Sequence, residues 1–196
     1  MKVSDFINNA PQGKNFSLEV LPPLKGNGTA SLFSTLNRLC EYGPKYINIT
    51  THNCEYVYRE LENGQFERDR IRRRPGTIAI AAALQNKYSI PVIPHVICSG
   101  STVESIEYEL LDLQFLGISN LLLLRGDKAK DDRVFTPTPG GHAHTTDLMA
   151  QVNRFNDGFL PMAAPSSIRA SVSNMAWPAI RRNMRRPRTW KWTWLS

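Results

Sequence analysis

Four apolar runs in this 196-residue chain each carry a polar group at or near the end. Glu19 lies in "FSLEVL", Thr50 ends "YINIT", His95 lies in "IPVIPHVIC", and Arg125-Gly126-Asp127 follows the leucines of "NLLLL". A polar group in such a run costs free energy unless something bonds it. A carboxyl, a hydroxyl, an imidazole and a guanidinium beside a carboxylate are the types that move protons and hold polar ligands. Each also has a plain structural reading. Glu19 can cap a backbone group, His95 can be a satisfied core histidine, Thr50 can bond the next turn, and Arg125 with Asp127 can form an ion pair. Four runs that deliver such groups to one rim are more specific than any single one. His142 and His144 in "GGHAH" lack a carboxylate at ligand spacing, so no metal is expected there.

Elements that alternate strand and helix would place these groups together. Strands are expected over 16–21, 46–50, 90–98 and 120–126, the last with four consecutive leucines that suit a strand buried on both faces. A helix is expected over 30–42, where Leu32, Phe33, Leu36, Leu39 and Cys40 recur at helical spacing before Gly43-Pro44. A second helix should open at Pro75 as its first residue. A third should be capped by Ser101 with Glu104 and stop at Gly117, and a fourth is "TTDLMAQVNRFN". Between the second strand and second helix lies a polar insert centred on Asn63-Gly64, read as a hairpin with a type I′ turn. Its arginines at 68, 70, 72, 73 and 74 read as a solvated face, with attraction of cofactor phosphates the lesser alternative.

Four βα units with buried strands imply a parallel α/β architecture. No Gly-rich dinucleotide or P-loop pattern follows the first strand, so a (βα)8 barrel is favoured, with only about its first four units present. In such barrels the site lies at the C-terminal ends of the strands, which is where the four polar groups fall.

Charge is unevenly placed. From 160 to 196 there are seven Lys/Arg and no Asp or Glu, which leaves 17 bases against 17 acids in 1–159. Trp177, Trp190, Trp192 and Trp194 all lie in that tail. The body is therefore a neutral globular sequence, and the tail an irregular or disordered basic segment. The start lacks a signal-peptide apolar run and no segment is long enough to span a membrane. Cys40, Cys54 and Cys98 are odd in number without CxxC spacing, so a reducing, cytoplasmic setting is expected.

At "FSLEVLPP", "YINITTHN", "IPHVIC" and "LLLLRGDKAK" the chain resembles the methylenetetrahydrofolate reductases, continuously over about 1–158 and most like the bacterial enzymes. The resemblance implies a flavin-dependent TIM barrel that reduces 5,10-methylenetetrahydrofolate to 5-methyltetrahydrofolate, with FAD as cofactor and NADH or NADPH as co-substrate. It makes Glu19 the general acid that protonates the bridging nitrogen of the folate. It places Asp127 between flavin and folate, and makes Thr50, His95, Leu124, Arg125 and Gly126 flavin contacts. His144 and Thr145 align less closely with further FAD contacts. Family members are expected to form homo-oligomers, with neither nucleic acid nor membrane as partner.

The resemblance is expected to stop near Gly158-Phe159, so that 1–159 is the N-terminal half of the barrel and 160–196 an unrelated tail. Reading 175–194 one base out of frame permits a string like the family's fifth strand with acids restored. A frameshift product is therefore expected, and the chain on its own is expected to be unstable or inactive. Two rivals remain. One is a non-catalytic protein that uses the Arg/Trp tail on nucleic acid or a membrane surface. The other is a different flavin barrel, such as a proline dehydrogenase-like enzyme.

Overall fold

The computed structural model describes Val3 and residues 16–51, 55–128 and 132–158. The tail from 160 to 196 lies outside the described residues. The order of elements is β1 (Leu18–Val20), α1 (Ala30–Cys40), β2 (Ile47–Ile49), β3 (Glu55–Glu60), β4 (Phe66–Ile71), α2 (Thr77–Tyr88), β5 (Val92–Ile97), α3 (Val103–Phe115), β6 (Leu122–Leu124) and α4 (Thr145–Gly158). Strands β1, β2, β5 and β6 form a parallel sheet in that order. Strands β3 and β4 form a separate antiparallel hairpin.

Each helix buries one stripe against one face of the sheet, because apolar residues recur at helical spacing. Thr77, Ile80, Ala81 and Leu84 make the stripe of α2, and Ile106, Leu110 and Leu113 that of α3. They meet Val20, Ile47, Ile49, Val92, Val96, Leu121 and Leu123, which point from alternate strand positions to the same side. The residues between them point to the other, inner face. There Tyr46, Ile93 and Leu122 pack with Val3. The leucine run of β6 is thus divided: Leu121 and Leu123 are buried under helices, while Leu122 and Leu124 are only half-buried on the inner face.

Several local expectations are corrected. The strands are shorter than expected at both ends. Pro75 does not open α2: Gly76 is its N-cap with extended backbone, which leaves Pro75 one residue outside. The cap of α3 sits one residue later than expected. Thr102 Oγ1 accepts from Ser105 N–H (3.1 Å) and Ser105 Oγ accepts from Thr102 N–H (2.9 Å). Ser101 is instead buried in the turn, its N–H bonded to Cys98 C=O. The hairpin turn is not type I′, which needs positive φ at both central residues. Gly64 has φ 76°, but Asn63 does not share it. Leu61 C=O accepts from Gly64 N–H and Leu61 N–H donates to Gln65 C=O, a three-residue loop with glycine at the left-handed position. Asn63 Oδ1 accepts from Gln65 N–H, which holds it on the right-handed side.

The hairpin stands at the C-terminal rim of the sheet. Its base is tied to the β1 loop by Lys25 N–H to Arg73 C=O (2.6 Å) and by Arg74 donating to Pro22 C=O. Further out, Arg68 reaches Asp132 beyond β6 at 3.6 Å.

Candidate functional site

The parallel register decides which side chains meet. Glu19 lies beside Asn48, Asn48 beside Ile93, and His95 beside Leu122. By period two, Glu19, Asn48, Thr50, His95 and Leu124 all belong to the inner face, opposite the helices. The structure therefore brings four of the expected residues onto one surface.

Glu19 is half-buried in β1, and burial raises its carboxyl above the ordinary value. Burial on the inner face is the cause, and no cation opposes it. His95 is 6% exposed, and its Nε2 has no hydrogen-bond partner among the described residues. Burial lowers its pKa to about 4, so the imidazole is neutral at pH 7. The backbone carbonyl of His95, in contrast, is well served: the Thr51 and Thr77 hydroxyls donate to it. The plain reading of a satisfied core histidine thus fails at the side chain. Thr50 Oγ1 donates to Val20 C=O at 3.1 Å and its N–H donates to the same carbonyl at 3.0 Å, which ties the end of β2 to β1.

The end of β6 is arranged differently from the other strands. Arg125 is exposed and its guanidinium stacks over Phe135 at 4.6 Å, a cation–π contact rather than an inner-face position. Asp127 is exposed. Its carbonyl accepts from Ser99 Oγ at 2.8 Å, and Ser99 N–H donates to Arg125 C=O at 2.9 Å. Gly126 makes this turn possible. Its φ is 81°, and a Cβ there would lie 2.7 Å from Ser99 Cβ. His144 and Thr145 begin α4: His144 C=O accepts the Leu148 N–H and Cys98 Sγ–H, and His144 N–H donates to Asp147. The Cys98 contact sets His144 beside the end of β5.

A cleft of about 170 Å³ opens at this rim, lined among others by Thr51, Arg72, Arg74, Thr77, Ser99 and Glu109. Arg68, Arg72 and Arg73 are exposed, as expected of a solvated face, and some of them make surface contacts. Arg73 pairs with Glu55 at 2.6 Å, and Arg68 lies over the Tyr56 ring at 3.5 Å. Glu109 has its carboxyl pKa raised by burial, against the pull of Arg72 and with the push of Asp112.

Several buried polar residues escaped the sequence reading, Thr77 and Ser99 among them, and two others stand out. Asn48, 7% exposed, shares the inner face with Glu19; alternation of Tyr46, Asn48 and Thr50 was the signal available for it. Gln151, 3% exposed, is buried on α4 between Leu148 and Val152. Among the described residues no group of three or more His, Cys, Asp or Glu is placed to hold a metal ion.

The model of the methylenetetrahydrofolate reductase family matches residues 3–164. The chain belongs to that family. Among curated relatives, methylenetetrahydrofolate reductase (NADH) 1 of Arabidopsis thaliana is 31% identical over 179 residues, 87% of this chain and 28% of the relative. The Zea mays enzyme of the same name is 29% identical over 78% of this chain and 24% of its own. The 5,10-methylenetetrahydrofolate reductase of Pectobacterium carotovorum is 25% identical over 78% of this chain and 44% of its own. These identities do not confirm the bacterial affinity expected from the sequence. The chain spans about a quarter of the length of its plant relatives. The family match also runs a few residues past the seam expected near Gly158-Phe159.

Proposed function

We propose that the inner face of this sheet is the acid and flavin side of a folate reductase, reducing 5,10-methylenetetrahydrofolate to 5-methyltetrahydrofolate. The observation that carries the reading is a half-buried Glu19 on the same face as a neutral His95 with an orphaned, buried Nε2. An unpaired buried polar atom costs free energy, and a ligand that bonds it would remove that cost. The face around it fits a flat, partly polar ring system. Leu122 and Leu124 supply half-buried apolar surface, while Thr50 and Asn48 supply hydrogen-bonding groups.

FAD, when bound, would supply hydride transfer between a nicotinamide co-substrate and the folate. In that reading His95, Thr50, Leu124, Gly126 and the rim residues Arg125, His144 and Thr145 hold and orient it. Asp127, exposed at the end of β6, would supply a negative charge beside flavin and folate. Glu19 gives its proton to the bridging nitrogen of the folate. The carbon–nitrogen bond at that atom then opens, and the one-carbon unit becomes an iminium ready to accept hydride. A carboxyl is a useful acid at neutral pH only if its proton is retained, and burial in β1 works in that direction. The names of the plant relatives make NADH the favoured co-substrate. The four parallel βα units are proposed as consecutive units of an eight-stranded barrel, with 160–196 as a separate tail of frameshift origin.

The acid role is tested by carbon-13 NMR of Glu side-chain carboxyls, with Glu19 assigned by its disappearance in Glu19→Gln. A Glu19 midpoint above those of the exposed glutamates is expected. A midpoint at or below theirs would remove Glu19 as the proton donor.

A further inference from the structure

We propose that Gln151 is a positioning residue that clamps the loop leading to His144 and Thr145 against the start of α3, and so fixes where the entry to α4 stands. The part that concerns flavin rests on the reading above; the clamp itself does not.

The buried stripe of α4 is Leu148, Gln151, Val152 and Phe155. Three of the four are apolar, and a leucine at 151 would complete the stripe. A buried carboxamide costs free energy unless its bonds are made, and here they are all made. Gln151 Nε2 donates to Val103 C=O at 2.8 Å and to Glu107 Oε2 at 3.1 Å. With both donors used, Oε1 is the acceptor for His142 Nε2 at 2.6 Å, which fixes the His142 tautomer with its hydrogen on Nε2.

The partners of Gln151 are what give it reach. Val103 N–H donates to Gly140 C=O at 2.9 Å, so Val103 is held by the loop through its N–H and by α4 through its carbonyl. Gly141 is pressed so closely beneath α3 that a Cβ there would lie 2.2 Å from Ser101 C=O. His142 then reaches back to Gln151, and two residues later the chain enters His144 and Thr145. One side chain thus joins the first turn of α3, the 138–142 loop and the body of α4. Such a second layer orients the residues that touch a ligand without touching it.

The test is amide hydrogen exchange on the full 196-residue chain, with FAD titration read by flavin fluorescence. In Gln151→Leu, protection of the Val103 and Gly141 amides should fall about tenfold or more, as in a local opening. The Cys98 and Ser99 amides, bonded to Leu124 and Arg125 carbonyls, should keep theirs. His142→Asn, at a half-exposed site, should give the same local loss without touching the packing of α4; it decides the matter if the leucine variant does not fold. FAD should dissociate about tenfold more readily from both variants, the low end for such supporting contacts. Uniform loss across all four amides, or unchanged protection of Val103 and Gly141, would overturn the clamp. Local loss with unchanged FAD affinity would overturn its link to the flavin. A wild-type chain that takes up no FAD would instead overturn the flavin reading, and the exchange data would still decide the clamp.

Discussion

At His95 an imidazole is buried with its Nε2 unbonded, and its pKa falls to about 4. Unfolded, it would titrate near pH ~6.5. Its contribution to stability is therefore fully present above about pH 6.5 and is lost as pH falls toward 4, a change on the order of 3 kcal/mol if the whole shift acts. Glu19 and Glu109, both raised by burial, act with the opposite sign, favouring the fold when protonated. The difference between wild type and His95→Asn isolates the histidine. Urea unfolding from pH 7 to 4 should show wild type losing stability relative to that variant; parallel curves would mean His95 is solvated or paired. Gly126 gives a second residue-scale expectation. Gly126→Ala combines a positive φ with a Cβ 2.7 Å from Ser99, so thermal unfolding should show a loss of about 1–3 kcal/mol. Neither constraint is visible in "RGD" as letters. The polar residue in an apolar run was visible; its lack of a partner needed the structure.

Among the elements, legibility followed the strength of the periodic signal. The buried face of α1 could be read from spacing, with Leu36 in the core and Leu32, Phe33 and Cys40 packed against it, and so could the four parallel strands. Boundaries and caps could not be read as well, because neighbouring residues offer the same chemistry. In "CSGSTVES" Ser101 and Thr102 are both competent caps, and the turn from Cys98 absorbs the first of them. Thr102→Ala should therefore cost about 1 kcal/mol in chemical denaturation, while Ser101→Ala should not remove the cap. Equal losses from capping, or a loss only at Ser101, would restore the other assignment. Asn63-Gly64 suggested the wrong turn because the Asn63 side chain bonds Gln65 and only Gly64 needs positive φ. Gln151 escaped notice for a related reason. A polar residue in a helix reads as exposed unless its three partners, two on α3 and one in the 138–142 loop, are known.

For the whole molecule, the sheet places Glu19 and His95 on its inner face, and the loops after β2, β5 and β6 build the rim. Charge balance divides the chain near 160, and the family model matches residues 3–164, across that division. The parallel strands and the polar groups near their ends were legible together because strand-end polar groups and apolar runs are local in sequence. The inner face itself was not, since it depends on register between strands far apart in the chain. Turnover by the chain is read as NADH oxidation that depends on methylenetetrahydrofolate. Binding is the more direct question. FAD is titrated into the purified chain at pH 7 and compared with His95→Ala and Asp127→Ala. Saturable quenching of flavin fluorescence, weakened in both variants, is the predicted result. No saturable binding, or binding that neither substitution changes, would contradict the flavin site.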